Sequence, residues 1–142
     1  MQRKVLEYIL SNGEITTLFQ PIFDIANQTI IGYEALSRGP KNSPLEMPNR
    51  LFEAASEHAL ISELELLCRS KAIENFVKLN LNGKLFLNVS PKTLIDPCHP
   101  KGETLHLIEQ FGLAANRVVI EVTEQEKVDD GFLLLKTIAH YR

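Results

Sequence analysis

The sequence predicts an α/β fold built on a largely parallel sheet, and three observations carry that reading. After an initial pair of strands the chain runs strand, helices, strand, helix, strand, helix, the order that produces a parallel sheet with crossover helices. The runs "LFLNV" (85–89) and "VVIEV" (118–122) are almost continuously apolar, as strands covered on both faces are. Finally, 142 residues with 44% hydrophobic and 23% charged side chains suffice for one domain with a substantial core.

The elements follow in order. Val5, Leu6, Ile9 and Leu10 recur at helical spacing across residues 2–11, and Asn12 with Gly13 ends that helix. Residues 16–25, "TTLFQPIFDI", are rich in β-branched and aromatic side chains and read as a strand, with Pro21 placing it at a sheet edge or end. The turn "ANQ" leads to a second strand, "TIIGYEALS" (29–37), so the two form an antiparallel hairpin. Three prolines and a glycine make residues 38–48 an irregular loop. Pro48 suits the first turn of a helix through "NRLFEAASEHAL", with Leu51, Phe52, Ala55 and Ala59 on one face. A longer helix at 61–79 turns Leu64, Leu67, Cys68, Ala72, Phe76 and Leu79 inward and leaves Glu63, Glu65, Arg69, Lys71 and Glu74 in water.

"LNGK" stops that helix, and "KLFLNVS" is a strand. Ser90 caps a short helix, "SPKTLI", with Pro91 in its first helical position. The loop "DPCHPKGE" precedes a helix at about 103–111. "RVVIEVTE" (117–124) is the next strand, and a helix capped by Asp129 or Asp130 follows.

Bulk composition narrows the function. Eighteen acidic against fifteen basic residues give a net charge of −3, which argues against a module that grips a nucleic-acid polymer. A small phosphorylated ligand held by one or two cations stays compatible. No apolar run approaches the ~20 residues of a membrane span, and "MQRKVLEYIL" is too short and too interrupted for a signal peptide. Cytoplasmic residence is expected. Cys68 and Cys98 lie far apart, so neither a zinc site nor a disulfide framework is indicated, and the four histidines form no spaced pair.

The polar residues within strands are more informative. Glu34, Asn88 and Glu121 each interrupt an apolar run, and each stands toward the C-terminal end of its strand, where ligand sites of parallel α/β folds are built. Singly, each has an ordinary explanation: an exposed residue, a salt-bridge partner, or an acceptor for the strand-to-helix turn. Converging, two carboxylates and an amide oxygen repel unless a cation sits among them, and an all-oxygen set suits Mg²⁺, Mn²⁺ or Ca²⁺ better than zinc. Arg38, four residues past Glu34, leaves two readings: a surface ion pair where the strand emerges, or the rim of a site.

The motifs "FQPIFDI", "GYEALSR", "FLNVSP" and "VIEVTE" occur in the order and spacing of the EAL domain, and across residues 19–124 the sequence resembles that family of cyclic di-GMP phosphodiesterases. The resemblance implies a TIM-type (β/α) barrel whose first strand is antiparallel to the others. It also implies a two-metal centre of Mg²⁺ or Mn²⁺ that serves hydrolysis of cyclic di-GMP to linear pGpG. Position by position, Glu34, Asn88 and Glu121 match metal ligands, and Arg38 matches an arginine that contacts a ligand phosphate. Gln20 and Leu36 match residues beside the nucleotide, and Glu124 matches a glutamate that steadies a loop. Gly39 stands where many relatives have an aromatic residue, which leaves the ligand contact on that side undefined.

Such a barrel typically takes ~250 residues. The resemblance therefore implies that residues 1–142 form the N-terminal portion of a single EAL domain, an incomplete barrel without its C-terminal strands. The paired aspartates that complete the family's metal centre are not expected in it. "VDDGF" (128–132) imitates them, but no apolar strand precedes it and a leucine-rich helix follows, so Asp129 and Asp130 read as capping residues. Alone, the chain is then expected to bind metal weakly, to be inactive, and to self-associate through exposed barrel edges. The competing expectation is a degenerate module of the same family that serves as a cyclic di-GMP sensor or a protein-interaction platform.

Overall fold

One four-stranded sheet, in the order β1–β2–β3–β4, organises the computed structural model, which describes residues 2–90 and 103–122. Its strands are β1 (Thr16–Asp24), β2 (Thr29–Arg38), β3 (Lys84–Val89) and β4 (Val118–Val122). Around them lie α1 (Gln2–Asn12), α2 (Pro48–Glu57), α3 (Ile61–Lys78), α4 (Glu103–Phe111) and a short 3-10 turn at Ala115–Arg117.

β1 and β2 form the antiparallel hairpin, with Gln20 opposite Glu34 and a bulge at Ile22/Phe23. β1 is the edge strand, which is where Pro21, unable to donate to a ladder, does least harm. β3 and β4 then add in parallel. Gly32 lets β2 and β3 meet: a Cβ there would lie 2.2 Å from the Lys84 carbonyl oxygen, so only hydrogen fits. At the end of β2 Gly39 has a similar constraint. A Cβ would lie 2.1 Å from Leu45 O, because the following loop turns back to bond Gly39 N to Glu46 O and to bury Leu45 completely.

The core has two parts. Leu6, Ile9, Leu51, Ala54, Ala55 and Leu64 join α1, α2 and α3 around Leu45. The second part seats the sheet on α3 and α4, with Ala72, Ile73, Phe76, Leu85, Leu87 and Ile108 buried between them. Phe76 is its hinge pin: Phe19 and Tyr33 pack on it at ring separations of 6.0 and 6.5 Å, and Arg117 lies over its face.

Four expectations need correction. Glu65 and Arg69 are buried, 6% and 2% exposed, because they border the Cys68–Ala72–Phe76 stripe rather than oppose it. Leu79 is 60% exposed, since α3 stops at Lys78 and the chain turns away at Asn80, φ +52. Ala59 is exposed as well: α2 closes at Glu57, and Ala59 at φ +56 breaks the chain direction before α3. Nor is β3 covered on both faces. Among the described residues the helices pack on one side, leaving Phe86 half-buried and Asn88 exposed on the other. The short helix "SPKTLI" and the segment "VDDGF" lie outside the described residues, apart from Ser90.

Candidate functional site

Strand alternation sorts the sheet into two faces. Phe19, Ala35, Leu85, Leu87, Val118 and Ile120 point to the helices and pack in the core. Their neighbours therefore line the opposite, open face: Leu18 and Gln20 on β1, Glu34, Leu36 and Arg38 on β2, Phe86 and Asn88 on β3, Val119 and Glu121 on β4. Six of the seven residues singled out in the sequence thus share one surface. The seventh, Glu124, lies outside the described residues.

Three of the six meet. Asn88 Nδ2 donates to Glu34 Oε2 at 3.2 Å across 54 residues of sequence. Glu121 faces Asn88 directly in the β3–β4 register and lies close enough to Glu34 for their carboxyl groups to share a hydrogen bond. The Glu121 pKa is pushed above the ordinary carboxylate value by burial first, then by the charge of Glu34 and by that bond. Glu121 Oε1 is shielded from solvent and has no hydrogen-bond partner among the described residues.

This chemistry fits a hard divalent cation. A cation would relieve the repulsion that now raises the Glu121 pKa and would give its orphaned oxygen a partner. Turning the Asn88 amide over would present Oδ1 in place of Nδ2, replacing a donor to Glu34 with a third oxygen ligand. The set is small: among the described residues no group of three or more His, Cys, Asp or Glu gathers to hold a metal, so two carboxylates and an amide are what this region supplies.

Glu34 and Arg38 form no ion pair; within the described residues that interaction is limited to Arg3–Glu7 on α1. Arg38 is half-buried, and its Nη1 donates to the neighbouring Ser37 carbonyl at 2.9 Å. Its guanidinium stands two residues past Leu36 on the same face, and among the described residues no carboxylate is bound to it. Gln20 is exposed and pairs with Glu34 across the hairpin. The ion-pair reading of the "EALSR" segment is therefore not what the structure shows.

Behind the site lies a buried polar group that sequence reasoning missed. Glu65 Oε1 accepts the Ser90 backbone N–H at 3.2 Å, and Arg69 Nη1 donates to Thr104 Oγ1 at 2.8 Å. A signal for it was present: Glu65, Cys68, Ala72 and Phe76 follow the i, i+3, i+7, i+11 spacing of one helix face. Cys68, on that face, is buried, which pushes its thiol pKa up to about 11 despite a hydrogen bond with Ser37.

Comparison with known proteins agrees with this layout. The chain is 28% identical over 138 residues to the "Probable cyclic di-GMP phosphodiesterase PdeI" of Escherichia coli (strain K12), covering 91% of this chain and 18% of that protein. Among solved structures, the EAL domain of Xanthomonas citri FimX in complex with c-diGMP superposes with a TM-score of 0.75 at 19% identity, over 99% of this chain and 54% of that one. The manganese and cyclic di-GMP complex of Klebsiella pneumoniae BlrP1 gives 0.76 at 24% identity, over 91% of this chain and 32% of the other. These likenesses carry the fold, that of a TIM-type barrel of which the chain presents the early strands. The chain spans about a fifth of its curated relative's length and a third to a half of the solved chains. With a family profile, EAL domain, matching residues 2–142, the chain belongs to the EAL domain family.

Proposed function

We propose that this chain supplies the first strands of a metal-dependent cyclic di-GMP phosphodiesterase site, hydrolysing cyclic di-GMP to linear pGpG once the barrel is complete. One observation carries the reading: Glu34, Asn88 and Glu121 come together on one sheet face, with an oxygen of Glu121 left unpartnered. The names of PdeI, FimX and BlrP1 associate related chains with the same dinucleotide.

In this reading Glu34, Asn88 and Glu121 hold Mg²⁺ or Mn²⁺. When bound, such a pair of ions lowers the pKa of a water and neutralises charge growing on the phosphoryl oxygens. The chain's own residues do the rest. Arg38 offers a planar fork to a phosphate of the ligand. Leu36, between Glu34 and Arg38, gives the base an apolar surface, and Gln20 offers an amide beside it. Glu124, which lies outside the described residues, takes the part of the family glutamate that steadies a loop. The 142 residues by themselves form an incomplete barrel and turn over no substrate. Their open face, on which Leu18 is 50% exposed, favours self-association. No helix among the described residues is long and apolar enough to cross a membrane, and we place the domain in the cytoplasm.

The test is incubation of the complete domain with cyclic di-GMP and Mn²⁺ or Mg²⁺, with products separated by chromatography. Metal-dependent pGpG, lost in Glu34→Ala, is expected. Binding of cyclic di-GMP without any metal-dependent product would replace the enzymatic reading with that of a sensor, the alternative that the small donor set keeps in view.

A further inference from the structure

Glu65 is the one buried carboxylate among the described residues, and the proposed site does not use it. Removing a carboxylate from water is costly, and a residue needed only for packing is better apolar. Its bond therefore merits a functional explanation. Oε1 accepts the backbone N–H of Ser90, while Oε2 is buried with no hydrogen-bond partner among the described residues. Ser90 is the first residue beyond β3 and stands two residues past Asn88, with Val89, 1% exposed, anchored in the core between them.

Among the described residues the β3–β4 ladder runs to Val89 and Val122, and the Ser90 N–H follows directly on it. A carboxylate acceptor makes that bond charge-assisted, stronger than a neutral one. The platform beneath it is fixed too. Arg69, one turn further along α3, donates Nε to the Glu65 carbonyl at 3.4 Å and Nη1 to Thr104 on α4.

We infer that Glu65 is a positioning residue: by gripping the Ser90 N–H from α3 it fixes how far β3 extends and thereby the place of the Asn88 amide beside Glu34. The inference rests on the proposed role of Asn88 as a metal ligand. It joins a helix on the back of the sheet to the cation pocket on the front through three consecutive residues.

The experiment uses the complete domain and compares the native form with its Glu65→Leu, Glu65→Gln and Thr104→Val variants. Mn²⁺ affinity is read by electron paramagnetic resonance, and the Asn88 side-chain amide signal by NMR of the metal-free protein. Glu65→Leu removes the acceptor at similar volume and is expected to weaken Mn²⁺ binding about tenfold or more, the range for losing a partner behind a ligand, and to move the Asn88 signal. Glu65→Gln keeps a weaker, neutral acceptor and is expected to lose about two- to fivefold. Thr104→Val, which frees Arg69 from α4 without touching Ser90, is expected to lower the melting temperature while leaving both readouts in place.

A folded Glu65→Leu with native Mn²⁺ affinity and an unmoved Asn88 signal overturns the inference, and native Mn²⁺-dependent hydrolysis would then leave the functional reading standing. Should Glu65→Leu not fold, Glu65→Gln decides by the same two readouts: both unchanged overturns the inference, both shifted supports it. A native protein that binds no Mn²⁺ removes the functional reading and the inference with it.

Discussion

Replacing Glu121 by glutamine is expected to stabilise the metal-free protein and to abolish metal binding, and both effects have one cause. In the metal-free state the Glu121 carboxylate faces Glu34 with one oxygen shielded and unpartnered. Its pKa is raised from 4.5 by burial and by Glu34. The folded state therefore holds the Glu121 proton more tightly than the unfolded chain does. The stability due to this group is present in acid and declines as pH rises from the ordinary carboxylate value through the raised one; above that window the loss is constant. Glutamine does not titrate, and its NH₂ can donate to Glu34.

The magnitude follows from ionising Glu121 beside Glu34. Because this face is open to solvent, screening limits such a charge interaction to about 1 kcal/mol. For a domain of this size that corresponds to about 4 °C in melting temperature. Thermal melts in chelator, from acid to neutral pH, should coincide for native and Glu121→Gln at the acid end and separate as pH rises, the variant being the more stable. A variant less stable than native at neutral pH would refute the account of the carboxylate pair. So would curves that keep a constant separation at all pH values.

Three further outcomes are expected. Arg38→Lys should weaken cyclic di-GMP binding about tenfold, near 1.4 kcal/mol, since an ammonium lacks the planar fork; it should leave the melting temperature unchanged because Arg38 bonds only a neighbouring carbonyl among the described residues, and calorimetry measures both. Gly32→Ala should cost about 3 kcal/mol in urea unfolding, because overpacking of a strand contact that brings a Cβ within 2.2 Å of Lys84 O must open β2 from β3. Cys68, with its thiol at about 11, should resist iodoacetamide in mildly alkaline buffer and react once the chain is unfolded. Mass spectrometry locates the label, and native-state modification of Cys68 would contradict its burial.

Much of this architecture was legible in the residues because strand periodicity has only two faces. An oxygen-bearing side chain within an apolar strand, as at Glu34, Asn88 and Glu121, must face away from the hydrophobic set, and three such strands in one sheet bring their polar groups to the same side. Pro21 marked the edge strand for a comparably local reason. The α3 surface was harder to read. Glu65 and Arg69 carry charge, and composition assigns charge to water; partners such as Ser90 and Thr104, 25 and 35 residues away, make their burial tolerable. Likewise Leu79 follows the helical period but stands beyond the point where α3 ends; the stop comes from Asn80 at φ +52, which the spacing of apolar residues does not register.

The ladders described above also carry a count. β2 sets Glu34 opposite Phe86, so Asn88 stands two residues farther along, whereas Asn88 meets Glu121 with no offset. Two strand steps thus advance two residues, an average of one per strand, which is the stagger of an eight-stranded barrel with a shear of eight. The donors therefore occupy a single tier of the closed cylinder although they look diagonal on the flat sheet. A one-residue slip of β3 would turn Asn88 toward the helices, and a two-residue slip would shift it to the adjacent tier, about 7 Å away; tolerance for insertions in the loops is set by that arithmetic.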